Sequence, residues 1–147
     1  MTEIEKFTKE KITELTALVI DLWPGCNYDE EYKNCVRILD SEKEEIFLAT
    51  ADGKSIGFIY LNLRSDYVEG TDSSPVGYIE GLYVVPAYRK QGVAKKLVET
   101  GEIWSREKGC TQYASDTELE NKASIAFHKS IGFKETGRVV YFLKELK

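Results

Sequence analysis

The sequence predicts a mixed α/β layer: one sheet covered by helices, with an antiparallel hairpin early in the chain and a parallel βαβ crossover over residues 76–115. Three observations predict it. Apolar residues recur at helical spacing over residues 9–22 and again from Val93 to Trp104; two β-rich runs flank Asp52-Gly53; and a long apolar run, 76–85, precedes the second of those helices and a further short strand.

Taken in order, Ile12, Leu15, Leu18, Val19 and Leu22 mark one face of a first helix, with Thr8 as its cap. Trp23-Pro24-Gly25 breaks it, and Asp29 is placed to cap a second helix carrying Tyr32, Cys35, Val36 and Leu39 on one face. Residues 45–51 and 55–64 are rich in Ile, Phe, Leu and Tyr, and Asp52-Gly53 between them is a type I′ turn signal, so they form a hairpin. A polar loop over 65–75 leads to the strand at 76–85, which Pro86 stops. The next helix runs to about Gly109, a short strand follows at 110–115, a helix at 121–130 is closed by Gly132, and residues 133–146, with Val139, Val140, Tyr141 and Phe142, return to strand.

The 147 residues suffice for one domain, 1–147, with its own core, and 42% hydrophobic against 31% charged residues is the balance of a globular protein. Cys26, Cys35 and Cys110 are too widely spaced for a zinc site or a disulfide framework, so no metal and a reducing, cytoplasmic setting are expected. The apolar run at 15–23 contains Asp21 and is far shorter than the roughly 20 residues a membrane span needs. A net charge of −5, with no long run of Lys or Arg, argues against nucleic acid; such an acidic surface would attract a cationic small molecule or serve solubility alone.

Chemistry concentrates after the apolar strand. In Arg89-Lys90-Gln91-Gly92-Val93-Ala94, Gly92 allows close backbone approach and the free N–H groups of a helix start point beyond it, which makes an anion site. Arg89 or Lys90 can add a positive charge there. Glu80 lies on the strand just upstream, between Ile79 and Leu82 in the run, where an idle carboxylate would be costly.

The block from Val76 to Ala94, with Val85-Pro86 ahead of the glycine loop, resembles the core of the GNAT superfamily of N-acetyltransferases. Asn121-Lys122-Ala123-Ser124-Ile125-Ala126-Phe127-His128-Lys129-Ser130-Ile131-Gly132-Phe133 resembles that family's later helix. Over nearly the whole chain the likeness is greatest to its aminoglycoside 6′-N-acetyltransferases, through Trp23, residues 66–71, Tyr78-Ile79-Glu80-Gly81, residues 114–117 and Arg138-Val139-Val140.

The resemblance implies a GNAT fold, acetyl-CoA as co-substrate and an amine as acceptor. It assigns the CoA pyrophosphate to residues 89–94 (Arg89, Lys90, Gln91, Gly92, Val93, Ala94), a backbone N–H of Leu82, Tyr83 or Val84 to the oxyanion, and Asn121, also an ordinary helix cap, to the pantetheine arm. Glu80 is the expected general base, because an ammonium must lose a proton before it attacks a thioester. His128 stands where the family often has a Tyr that protonates the leaving thiolate, so it either replaces that acid or packs beside the cofactor. Trp23, Asp66, Tyr67, Glu80 and Asp116 are expected around the acceptor, with Trp23 alternatively a core anchor and Asp116 a turn residue. The relatives often have an acidic residue where this chain has Gly137, which implies a difference in acceptor affinity or choice. A homodimer is expected by analogy. The alternatives are another acceptor (a polyamine, a small metabolite amine or a protein N-terminus) and a non-catalytic acyl-CoA-binding module.

Overall fold

The computed structural model describes residues 1–146. Its sheet has five strands in sequence order: β1 (Glu3–Lys6), β2 (Glu44–Ala51), β3 (Lys54–Arg64), β4 (Val76–Val84) and β5 (Tyr113–Ser115). All neighbours are antiparallel except β4 and β5, which are parallel. Helices α1 (Ile12–Leu22) and α2 (Tyr28–Leu39) cover one face through Leu15, Leu18, Val19, Cys35 and Ile38; α3 (Val93–Glu107) covers the other through Val93, Leu97, Val98 and Trp104; α4 (Lys122–Ser130) follows β5. The predicted mixed, mostly antiparallel sheet with a parallel βαβ core is observed.

The hairpin between β2 and β3 turns at Asp52 (φ 53°) and Gly53 (φ 74°), both left-handed as a type I′ turn demands. Three local expectations need correction, and one strand is additional. Thr8 makes no side-chain cap; the chain enters α1 through a short 3₁₀ turn at Lys9–Lys11. Asn27, not Asp29, caps α2, its side chain accepting from the Glu30 N–H at 3.0 Å while Asp29 lies in the first turn. The short strand at 110–115 is paired only over Tyr113–Ser115. β1 was not expected at all, since Glu3-Ile4-Glu5-Lys6 buries little and gains its strand state from pairing with β2.

The largest correction concerns residues 133–146, which form no strand. Bulky residues at 139–142 favour extended backbone, but a strand also needs a partner, and this tail has none among the described residues. It passes the 65–75 loop, where the Thr136 hydroxyl donates to the Glu69 carbonyl at 3.3 Å, and then leaves the body with Tyr141 and Phe142 at least 90% exposed.

Candidate active site

β4 organises the site. Opposite it, Tyr60 pairs with Gly81 and Leu61 with Ile79, so Glu80 is the extra residue of a bulge. Ile79 and Leu82 pack into the α3-side core, while Gly81 lies against α1's end: a Cβ placed there would sit 2.7 Å from Trp23 Cη2. The bulge thus interrupts strict alternation and re-aims the Glu80 carboxylate toward the β3 side chains that share Gly81's face, at the point where β4 loses β5.

Glu80 is held by three hydrogen bonds from β3. Arg64 forks onto it, Nε donating to Oε2 at 2.9 Å and an Nη to Oε1 at 2.7 Å, and the Asn62 side-chain amide donates at 3.1 Å. The guanidinium carbon lies over the Tyr78 ring, 3.5 Å from its centroid. Tyr78 in turn donates its hydroxyl to Asp116; burial first, and then that bond, pushes its phenol well above the usual tyrosine range. The Glu80 bonds, first of all, hold the Arg64 guanidinium more firmly protonated than usual, and the Asp116 charge adds to this.

Beyond Ile79, β4 has no strand neighbour on the β5 side, so Leu82, Tyr83 and Val84 lie along an open edge. That edge leads to the glycine loop, where Lys90 (φ 64°) and Gly92 (φ 80°) are both left-handed. The first backbone bond of α3 runs from the Lys96 N–H to the Gly92 carbonyl, which leaves the amides of Val93, Ala94 and Lys95 directed past the helix end. An added Cβ at Gly92 would meet nothing within 4 Å, so glycine is needed there for its φ and not for space. The site fits a pyrophosphate through backbone donors and the dipole. Its side chains divide unevenly: Arg89 is turned back, donating Nε to the Val84 carbonyl at 2.7 Å, Gln91 reaches the Ala87 carbonyl, and Val93 is buried in the core. Of the two cations, Lys90 is the one not bonded back to the chain.

Asn121 caps α4, its side-chain oxygen accepting the Ser124 N–H at 3.0 Å, with its NH₂ outside that bond. His128 Nδ1 lies 2.7 Å from the Ser124 carbonyl and Nε2 2.9 Å from the Ser115 hydroxyl. A carbonyl only accepts, so Nδ1 carries a proton, and when the ring is neutral Nε2 accepts the Ser115 hydrogen. It therefore directs no free N–H outward.

The acceptor residues are only partly brought together. Tyr67, Tyr78, Asp116 and Arg64 line one open cavity of about 1430 Å³ between the 65–75 loop, β5 and the tail. Trp23 stands instead over Gly81, packed on the α1–α2 core, and Tyr67 is 75% exposed with its hydroxyl on Glu69. Asp66, which is exposed, and Glu80, which is bonded to the cavity-lining Arg64, are not themselves among the residues that line the cavity. Glu69 fills the space beside Gly137, its carboxylate 3.4 Å from where a Cβ there would be. Sequence reasoning missed Arg64 and Asn62, although alternation was a usable signal: Leu61 and Leu63 face one core, which puts Asn62 and Arg64 together on the other face.

Among the described residues no group of three or more His, Cys, Asp or Glu side chains could hold a metal ion, and no helix is long and apolar enough to cross a membrane.

Known proteins share this architecture. The chain is 40% identical over 142 residues to an aminoglycoside N(6′)-acetyltransferase type 1 of Salmonella enteritidis, covering 97% of this chain and 98% of that one. It superposes on the solved structure of AAC(6′)-Iy in complex with the bisubstrate analogue CoA-S-monomethyl-acetylneamine with a TM-score of 0.94, at 39% identity and 99% coverage of both chains. It also superposes on the aminoglycoside 6′-N-acetyltransferase AAC(6′)-Ih of Acinetobacter baumannii with a TM-score of 0.91, at 35% identity and full coverage of both. The model of the Acetyltransferase (GNAT) family matches residues 7–133, and with these relatives it places the chain in that family.

Proposed function

We propose that the protein transfers the acetyl group of acetyl-CoA to the 6′-amine of an aminoglycoside by direct attack, with Glu80 as general base acting through water, and that its 147 residues work as one catalytic domain. The observation that carries this reading is the position of Glu80. Its bulge sets a carboxylate at the head of an open β4 edge that leads, within one strand and one turn, to the outward amides of α3. An amine held at Glu80 and a thioester lying along Leu82–Val84 would then meet in attack geometry, which is the main gain of a two-substrate site. A backbone N–H of that edge takes the oxyanion.

The relatives support the acceptor class by what they are named for, and the chain's own groups agree with it. Glu80, Asp116, Glu69 and Asp66 offer carboxylates to a sugar carrying several ammonium groups. No cysteine is suited to carry the acetyl group: burial pushes the thiols of Cys35 and Cys110 up, and Cys26 is an exposed loop residue. Asn121's free NH₂ is available to the pantetheine arm. The departing thiolate resembles a cysteine thiolate, with a reference pKa of about 8.5, so a weak acid suffices. His128 serves as that acid in its imidazolium form, donating to Ser115 and freeing the Ser115 hydrogen for the thiolate; as the neutral ring it leaves the proton to water.

An assay of CoA release with kanamycin, tobramycin, spermidine and a short peptide tests the acceptor. The aminoglycosides should show the highest kcat/KM; a preference for the peptide or for spermidine would overturn the choice.

The homodimer reading is supported by the tail. Val139 to Leu143 are all more than half exposed, and β5 leaves the sheet with a three-residue edge. Such a segment gains cover and strand partners from a second copy. Light scattering of the intact chain should return about twice its 16.7 kDa mass, and a monomer mass at working concentration would refute the dimer.

A further inference from the structure

A carboxylate fork backed by an aromatic face is what a protein builds to hold an ammonium ion. In this structure that cradle is already filled, by Arg64. Its guanidinium lies 2.7 and 2.9 Å from the two Glu80 oxygens and 3.5 Å from the centre of the Tyr78 ring, and it feels the charge of Asp116, which accepts the Tyr78 hydroxyl. Arg64 sits on the last residue of β3, where the chain passes into the 65–75 loop, and its side chain is 38% accessible against 20% for Glu80.

We propose that Arg64 is an internal stand-in for the acceptor's ammonium group: it occupies the Glu80 carboxylate while the acceptor site is empty and is exchanged for the incoming amine. This rests on Glu80 facing the acceptor, as argued above, and goes beyond it by naming the residue that sets the affinity for the amine.

Three features support exchange over permanent pairing. The pair is partly open to water, so an incoming ammonium can reach the carboxylate and take over its bonds one at a time as the fork opens. Arg64 lines the large cavity, so the guanidinium has room to swing outward along the loop without moving β4. Asn62 keeps its own 3.1 Å bond to Glu80 Oε2, so the carboxylate stays aimed after Arg64 leaves. The exchange also has a chemical logic. Two carboxylates around one cradle, Glu80 and Asp116, would repel each other without a cation, and Arg64 keeps the pair compatible until the acceptor supplies its own positive charge. A neutral amine or an uncharged ligand has nothing to offer in return and is disfavoured, so Arg64 selects for cationic acceptors.

Two measurements test this, and neither depends on the acceptor being an aminoglycoside. The first is the solvent exchange of the Arg64 Nε–H, followed by ¹⁵N–¹H NMR in the full chain and identified by its loss in Arg64→Met. Saturation with kanamycin, or with 1,3-diaminopropane as a simple cationic amine, should speed that exchange as the bond to Glu80 opens. The second is steady-state kinetics of Arg64→Met and Arg64→Lys with the best amine of the acceptor panel. Arg64→Met should lower the amine KM by about 3- to 10-fold, the scale of removing one competing partly screened charge, and leave the acetyl-CoA KM unchanged. Arg64→Lys should return the amine KM toward wild type. A protected Nε–H at saturating amine, or an Arg64→Met enzyme that loses kcat with an unchanged or higher amine KM, would show that Arg64 is a fixed brace for Glu80 and overturn the proposal. Failure of the aminoglycosides in the panel, with spermidine or the peptide turned over, would refute the acceptor reading alone.

Discussion

Two clusters of the same chemistry stand on either side of β3, one across its pairing with β2 and one across its pairing with β4, and they do different things. At one place Glu44 of β2 is bound by Arg37, by the Tyr60 hydroxyl and by the Ser41 hydroxyl; at the other Glu80 of β4 is bound by Arg64 and Asn62, with Tyr78 beneath the guanidinium. Each is a carboxylate, an arginine fork and a tyrosine. The Glu44 partners come from α2, from the turn after it and from β3, so the cluster ties three elements together. The Glu80 partners both come from the neighbouring strand and tie nothing that the β3–β4 ladder does not already hold. Carboxylates of the first kind stabilise a fold, whereas one of the second kind is available for another task.

The sharpest break of this contrast is Glu80→Gln. The amide keeps the shape and can still accept from Asn62, but it cannot take a proton from an ammonium or from water. Turnover should fall by about 10²- to 10⁴-fold, the usual worth of a positioned general base, with little change in melting temperature. If acetylation persists at the wild-type rate across pH 6 to 9, Glu80 is not the base.

Much of this arrangement is legible in the sequence, and what is not has a physical cause. The helices are read from apolar spacing, the hairpin from Asp52-Gly53, the end of β4 from Pro86 and the anion loop from Gly92, because each is specified by a few local residues. Glu80 can be singled out because a carboxylate in an apolar run is expensive. The bulge that aims it cannot, since its cause is the register between Tyr60 and Leu61 on another strand. Likewise Arg64 reads locally as the polar end of a strand, and only pairing reveals that it meets Glu80. Residues 133–146 show the opposite failure: their β propensity is plain, but a strand is a relation between two segments, and the described residues offer this tail no second one.

Glu44→Gln should reverse the outcome of Glu80→Gln. Losing one charge-assisted set of bonds in a side chain that is 13% exposed should cost about 1–3 kcal/mol of stability while kcat/KM stays near wild type. The loss should depend on pH in a defined direction. Arg37, before any other group, holds the Glu44 carboxyl below the usual carboxylate range. Its contribution is therefore present above the unfolded value of about 4.3 and disappears as pH falls through the lower folded value. Wild type and Glu44→Gln should accordingly converge in stability on acidification, and a gap that persists at strongly acid pH would mean that the variant lost packing instead of charge.

The smallest expected effects separate the two tyrosines. Tyr60→Phe deletes one of the donors to Glu44 and leaves a mostly buried carboxylate with Arg37 and Ser41, so a cost of about 0.5–1.5 kcal/mol in denaturant unfolding is expected, with unchanged kinetics. Tyr78→Phe keeps the ring under Arg64 but releases Asp116, which lies beyond the end of β5 where no other element depends on it. Stability should then move by less than in Tyr60→Phe, while the amine KM shifts, because a carboxylate freed from its phenol presents a full acceptor oxygen to the cationic substrate. Equal destabilisation by the two changes, with an unmoved amine KM, would mean that both clusters are structural and that the acceptor is recognised elsewhere on the 65–75 loop.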